Sequence, residues 1–157
     1  MYVEESKSNK DVKVTIELVL NLETENTSKF GFDWSEEIEY EIYKLIIPKT
    51  GEILGLVSLD RVFEELRIEI RLLELSKSNI GASKKYEKVA GILIAHCCKQ
   101  SIQNGFFGFV SLIPKTKLIN HYKKEYGFQQ FGKHLVVDLD KSELLMNKFL
   151  LNEKNKK

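Results

Sequence analysis

The sequence predicts a single α+β domain built on a mixed, mainly antiparallel sheet. Its first half holds three consecutive runs of period-two hydrophobicity, and its second half alternates strand and helix periods. The third observation is length: 157 residues fill one domain with a full core, but not two. A chain of this size buries roughly 70% of the surface it exposes when unfolded, so it needs no metal or disulfide staple.

Residues 1–10 (MYVEESKSNK) are polar and read as a flexible N-terminal lead, which leaves 11–153 as the domain and 154–157 as a basic tail. Val12, Val14, Ile16, Leu18 and Leu20 alternate along a first strand, 11–22. A polar loop (23–37) carrying Phe30, Phe32 and Trp34 follows, then a strand over 38–48. Pro48-Lys49-Thr50-Gly51 is a turn signal into the next strand, 53–60, and Leu66, Ile68, Ile70 and Leu72 are in phase along the strand after it, 65–75, the third in succession from 38–48. At Leu72-Leu73 the apolar positions change from even to odd, the signature of a β-bulge.

Beyond a polar segment at 76–88, residues 89–104 have helical spacing and end at Gly105. FFGFVSLIP (106–114) reads as a buried strand, 115–128 as a helix ended by Gly127, 134–140 as a last strand, and 142–153 as an amphipathic helix opened by Ser142. That last helix either closes the core or pairs two subunits as a homodimer.

Charge is divided unevenly. Residues 1–76 carry 17 acids and 9 bases, residues 77–157 carry 6 acids and 15 bases, and every base in the second half is lysine. Lysine serves phosphate as a point charge but is a poor bidentate reader of bases, so the pattern favours a small phosphorylated ligand over sequence-specific nucleic acid. The opening residues show no apolar leader and no apolar run approaches 18 residues, so no membrane span is expected. Cys97 and Cys98 are adjacent in an apolar run with no partner at metal spacing, and read as reduced core residues of a cytoplasmic protein.

The join between strand 65–75, the loop bearing Lys77, Lys84, Lys85 and Lys88, and helix 89–104 is the strongest candidate site. A helix N-terminus offers N–H groups without intrahelical partners and the positive end of its dipole.

The strand ELRIEIRLLELS, the segment KKYEKVAGILIAHCCKQSIQNGF, the strand FGFVSL and the helix ending NHYKKEYGF resemble the GNAT acyl-CoA N-acyltransferases over residues 38–140. Within them, ELSKSN is similar to the ELAPxN of a bacterial subgroup. The resemblance implies a GNAT-like sheet with helices on both faces, and acetyl-CoA as acyl donor. It aligns Lys85-Tyr86-Glu87-Lys88-Val89-Ala90 with the Gln/Arg-x-x-Gly-x-Gly/Ala pyrophosphate motif, so that Lys85, Lys88, Val89, Ala90 and Gly91 would bind the cofactor. Lys85 replaces the usual Gln or Arg, and Lys88 replaces a Gly.

In that family a bulged strand frees backbone N–H groups to polarise the thioester, which implicates Leu73 and Leu75. Glu74 is the first candidate base and Glu69 the second; Tyr122 matches the tyrosine that protonates the departing thiolate. The acceptor would be a small amine or a protein amine. Two rival readings keep less of this: a catalytically inactive module that binds coenzyme A or a protein, and a lysine-rich nucleic-acid binder. Residues 23–37 show no helical period, whereas the family usually places helices there.

Overall fold

The structure, a computed structural model, describes residues 1–114 and 118–151. The chain opens with a hairpin, β1 (Tyr2–Glu5) and β2 (Asp11–Lys13), then runs through β3 (Thr15–Leu18), β4 (Glu41–Ile47), β5 (Glu52–Val62) and β6 (Arg67–Leu75). A two-residue strand, β7 (Tyr86–Glu87), leads into α1 (Val89–Gln103). After these come β8 (Val110–Leu112), α2 (Ile119–Tyr126), β9 (Gln129–Phe131), β10 (His134–Val137) and α3 (Leu139–Phe149). The main sheet has the order β3-β4-β5-β6-β8-β10-β9, and only β6 and β8 run parallel. The architecture is the expected α+β arrangement with a mixed, mainly antiparallel sheet.

The alternation along β4, β5 and β6 sorts their side chains between two cores. Val57, Leu59, Ile68 and Ile70 pack with Ile92, Leu93 and Ile94 of α1 and with Leu145 and Phe149 of α3. Ile119, Tyr122 and Tyr126 of α2 join the edge of that core. On the opposite face, Phe30, Trp34, Ile42, Ile46, Ile53 and Leu56 form a smaller core under loop 19–37, which contributes 3-10 turns at Leu22–Thr24 and Trp34–Glu37. Each fully buried Leu, Ile or Phe adds roughly 1.5–3 kcal/mol, so both layers hold the sheet.

Several elements differ from the sequence reading. Residues 1–10 are no frayed lead: β1 pairs with β2 and with β7 in a separate three-stranded sheet, and Val3 is fully buried in the main core. A single buried residue in a four-residue strand is too short a pattern for periodicity to detect. The strand expected over 11–22 is divided at Val14, whose N–H bonds Met1 O while Thr15 already pairs with Ile46 of β4. Leu18 and Leu20, in phase with the core, are exposed because β3 is an edge strand that ends at Leu18. β8 is shorter than expected, since Phe107 and Gly108 take positive φ just ahead of it.

At the C-terminal end, Asp138 rather than Ser142 caps α3, accepting from Lys141 N, while the buried Ser142 hydroxyl donates to Gly108 O. α2 ends at Gly127 as expected. Its first expected turn (115–117), the last residues expected in α3 (152–153) and the basic tail lie outside the described residues. Among the described residues, no helix is long and apolar enough to cross a membrane.

Cys97 and Cys98 are both buried and free. Burial lifts the Cys97 thiol well above its ordinary range and pushes Cys98 up to about 11, so neither offers a reactive thiolate. His96 stands on the same helix with its ring edge-on to Tyr43, the centroids 4.4 Å apart, and its Nε2 is buried without a hydrogen-bond partner. Burial first, and then the charges of Lys99 and Arg61, depress its pKa to about 4.

Two outcomes are expected. A β-carbon on Gly91 would overlap the buried Phe149 ring. Gly91→Ala should therefore destabilise by about 1–3 kcal/mol, outweighing the roughly 1 kcal/mol gained in helix propensity; thermal melts check the sign. Because the folded protein binds a proton at His96 less readily than the unfolded chain, its neutral form contributes fully above the ordinary pKa of 6.5. That contribution is lost as pH falls through 6.5 toward about 4. His96→Gln should remove about 3 kcal/mol of this acid sensitivity, read from urea melts across that window.

Candidate functional site

β6 contains one residue more than its partner. Across β5, Leu59 faces Ile70 and Ser58 faces Leu72, so Arg71 is unmatched. The phase slip legible in the sequence at Leu72-Leu73 is this bulge, centred one residue earlier. Ile68 and Ile70 face the main core before it, Leu73 and Leu75 after it, and Leu72 packs on the smaller core.

The bulge also turns the backbone. Ile68 N bonds Phe109 O on the β8 side, whereas Ser76 N bonds Leu54 O on the β5 side. Strand N–H groups alternate in direction, so those of Leu72 and Glu74 point to β5 and those of Leu73 and Leu75 point toward β8. β8, however, pairs with β6 only at Ile68, Glu69 and Ile70 and ends at Leu112. The two parallel strands part there. Leu73 and Leu75 direct their N–H groups into a gap that no described strand fills.

The start of α1 lies beside the end of β6. A β-carbon on Gly55 would come within 2.8 Å of Leu93, 3.1 Å of Val89 and 3.3 Å of Leu75, so the bare backbone of β5 is what lets helix and strand end meet. The first intrahelical bond runs from Ile92 N to Lys88 O, which places the N–H groups of Val89, Ala90 and Gly91 ahead of the ladder. No side chain of Lys88 caps them.

Lys88 itself has φ 78° and ψ 3°, a left-handed conformation that favours glycine. A lysine holds this conformation at a cost of order 1 kcal/mol. Lys85 is exposed, with its ammonium 5.4 Å from the Tyr86 ring, and Lys84 pairs with Glu87 at 3.3 Å.

Glu74 and Glu69 share the face opposite α1, and their surroundings differ. The Glu74 carboxylate accepts from Gly31 N (2.6 Å), Phe32 N (3.3 Å) and Trp34 Nε1 (2.9 Å), so both its oxygens hold loop 30–34 against β6. Glu69 pairs with Arg67 at 2.6 Å and lies 3.8 Å from His134 Nε2. Arg67 also donates to the Ser111 hydroxyl at 2.6 Å.

Sequence reasoning passed over a neighbouring cluster. The buried Glu37 accepts from Ser58 Oγ (2.7 Å) and Arg71 Nε (2.9 Å), and the Arg71 guanidinium stacks 3.7 Å from the centre of the Tyr40 ring. The bulge was the available signal, since it aims Arg71 at this loop.

Tyr122 is half-buried among His121, Tyr126 and Phe128, and burial alone raises its pKa. Burial, first among its causes, pushes its neighbour Tyr126 up to about 12. On the loop side, Phe30 and Trp34 are core residues and Phe32 is half-exposed. A cleft of about 500 Å³ opens there, with Leu20, Glu23, Phe32, Asp33 and Ile38 around it and Trp34 in its wall.

No family model and no curated protein matches this sequence. Solved structures do. A variant of the AtaT toxin bound to acetyl-CoA and the C-terminus of the antitoxin AtaR superposes with a TM-score of 0.59 at 16% identity, covering 86% of this chain and 99% of that one. AtaT with acetyl-methionyl-tRNAfMet gives 0.59 at 13% identity over 85% and 99%. A Bacillus subtilis acetyltransferase in complex with CoA gives 0.58 at 15% identity over 81% and 99%. The chain has the GNAT acetyltransferase fold.

Glu74→Gln should loosen loop 30–34, because one amide oxygen cannot replace a carboxylate that accepts three bonds. The expected loss is about 2 kcal/mol, with a red-shifted emission from Trp34, the chain's single tryptophan. Unchanged emission and stability would show that these bonds do not hold the loop.

Proposed function

We propose that this chain is an acetyl-CoA-dependent N-acetyltransferase whose acceptor is a cationic amine. The observation that carries the reading is the gap beside β6, with the Leu73 and Leu75 N–H groups directed into it and the first turn of α1 at its end. Acetyl-CoA or CoA is bound by the AtaT variant and the Bacillus acetyltransferase that share this fold. The thioester lies in the gap, its carbonyl oxygen on the Leu73 or Leu75 N–H, and the pyrophosphate lies on the N–H groups of Val89, Ala90 and Gly91 with Lys85 and Lys88 near it.

Glu69 first takes a proton from the ammonium, and the neutral nitrogen then attacks the thioester carbonyl from the face that carries Glu69 and Glu74. Both carboxylates are engaged, Glu74 by three donors of loop 30–34 and Glu69 by Arg67, but Glu69 has an imidazole beside it, 3.8 Å away, to pass the proton on to solvent. The tetrahedral oxyanion is held by the strand N–H; the C–S bond then breaks, and the Tyr122 hydroxyl gives its proton to the leaving thiolate and regains, through water, the second proton of the attacking nitrogen. The raised pKa of Tyr122 keeps that proton available. Amide and CoA are the products.

The acceptor class rests on charge. Residues 17–39 hold seven acids against Lys29 alone, and of these Glu23, Glu25 and Asp33 line the cleft beside Trp34, with Glu25 paired to Lys44. Such a surface attracts an ammonium and repels a phosphate backbone, unlike the tRNA ligand of AtaT. The inactive-module reading draws on Lys88, yet the backbone there takes the left-handed conformation that favours glycine, so the substitution does not by itself block the loop.

Calorimetric titration with acetyl-CoA should give saturable 1:1 binding, and Tyr122→Phe should keep that affinity while lowering turnover about 100-fold or more on an amine panel. Absence of binding at millimolar acetyl-CoA would overturn the proposal.

A further inference from the structure

The loop that would receive the pyrophosphate is held from two sides. Between β6 and α1 it has a single 3-10 turn (Lys77–Asn79) and the two residues of β7. On its inner side, Asn79 is fully buried: its amide nitrogen donates to Ser76 Oγ at 2.7 Å, and its Oδ1 accepts from Tyr86 N at 3.1 Å. Lys85 N adds a bond to Ser78 O at 2.9 Å. Lys77 N donates to Lys29 O at 3.1 Å, and the strand-like segment 85–87 is also held by the first residues of the chain. Glu4 and Glu5 of β1 pair with Glu87 and Tyr86. Ser6 N donates to Lys85 O at 2.9 Å, and Ser6 Oγ donates to Glu87 at 3.0 Å. Val3 anchors the hairpin in the main core.

These contacts end one residue before Lys88, which occupies a conformation that costs a lysine free energy. Such a conformation persists only where its surroundings over-determine it. A second tension points the same way. Glu4 stands directly across from Glu87, a like-charge pair that disfavours strand pairing, and the bonds of Ser6 and Lys84 to Glu87 offset it.

We infer that the N-terminal hairpin positions the phosphate-binding loop, with Ser6 as the residue that locks segment 85–88 and so holds Lys88 in its left-handed turn. The inference rests on the acyl-CoA reading for its ligand but not for its geometry. Ser6 is a positioning residue: it acts through Lys85 and Glu87, and the hairpin strand it ends is absent from the sequence pattern that marks the site. If the locked loop is the binding-competent state, loosening it lowers affinity by the fraction of time the loop is out of place.

Ser6→Pro removes both the N–H and the hydroxyl. It is expected to raise the calorimetric dissociation constant for CoA about ten-fold and to speed amide exchange at residues 85–91, with the exchange of β4, β5 and β6 unchanged. Ser6→Ala keeps the N–H and should show a smaller change of the same kind, about two- to three-fold, and it decides the matter should Ser6→Pro fail to fold. The effect of Ser6→Pro should shrink in a Lys88→Gly background, since glycine needs no enforcement at positive φ. Wild-type CoA affinity in both Ser6 variants, with slow exchange retained at 85–91, would overturn the inference. Were the unmodified protein not to bind CoA, the acyl-transfer reading would fail, and the exchange rates at 85–91 alone would decide whether Ser6 locks the loop.

Discussion

One unmatched residue in a central strand organises this molecule. Arg71 has no partner on β5, and its insertion rotates the rest of β6 by one position. The strand then keeps its apolar residues on the α1 side, while its backbone N–H groups exchange directions. Parallel pairing with β8 ends at Ile70, so the N–H groups turned outward by the bulge meet a gap instead of a neighbouring strand. Without the extra residue, the outward N–H groups would be those of Leu72 and Glu74, and Leu73 and Leu75 would lie on the wrong face for the main core.

The face opposite α1 is organised by carboxylates rather than by helices. Glu74 gathers three donors from loop 30–34, and Glu37 accepts from Ser58 and from the arginine at the bulge. Together with the small core around Trp34 and Phe30, these bonds tie the acidic loop 19–37 to the strand that carries the gap. They explain how a chain with no α-helix between β3 and β4 can still build a wall there. The opposite face is governed by burial, which favours neutral His96 and protonated thiols at both cysteines, so α1 offers no reactive thiolate.

Much of this was legible in the residues. Strong alternation fixed β4, β5 and β6 to within a few positions, and the even-to-odd switch in Leu72-Leu73 disclosed the bulge before any coordinates. Lys88 stood out only through the family resemblance, and the structure gives it a left-handed backbone. What could not be read depended on contacts between distant segments. Val3 is the single core residue of a four-residue strand, and its burial follows only from the pairing of β1 with β7. The partners of Glu74 lie 40 to 43 residues away, and two of the three are backbone N–H groups that carry no sequence signal. Ser142 resembled a helix cap, yet its hydroxyl serves Gly108 and Asp138 does the capping.

The most direct test of the account is amide hydrogen exchange, residue by residue along β6, with and without acetyl-CoA. In the free protein, the N–H groups of Leu72 and Glu74 should be protected by β5 while those of Leu73 and Leu75 exchange rapidly. Saturating acetyl-CoA should slow Leu73 or Leu75 and leave Leu72 and Glu74 as they were. Equal protection of all four in the free protein would contradict the open gap, and rapid exchange of Leu73 and Leu75 in the saturated complex would contradict their part in holding the thioester.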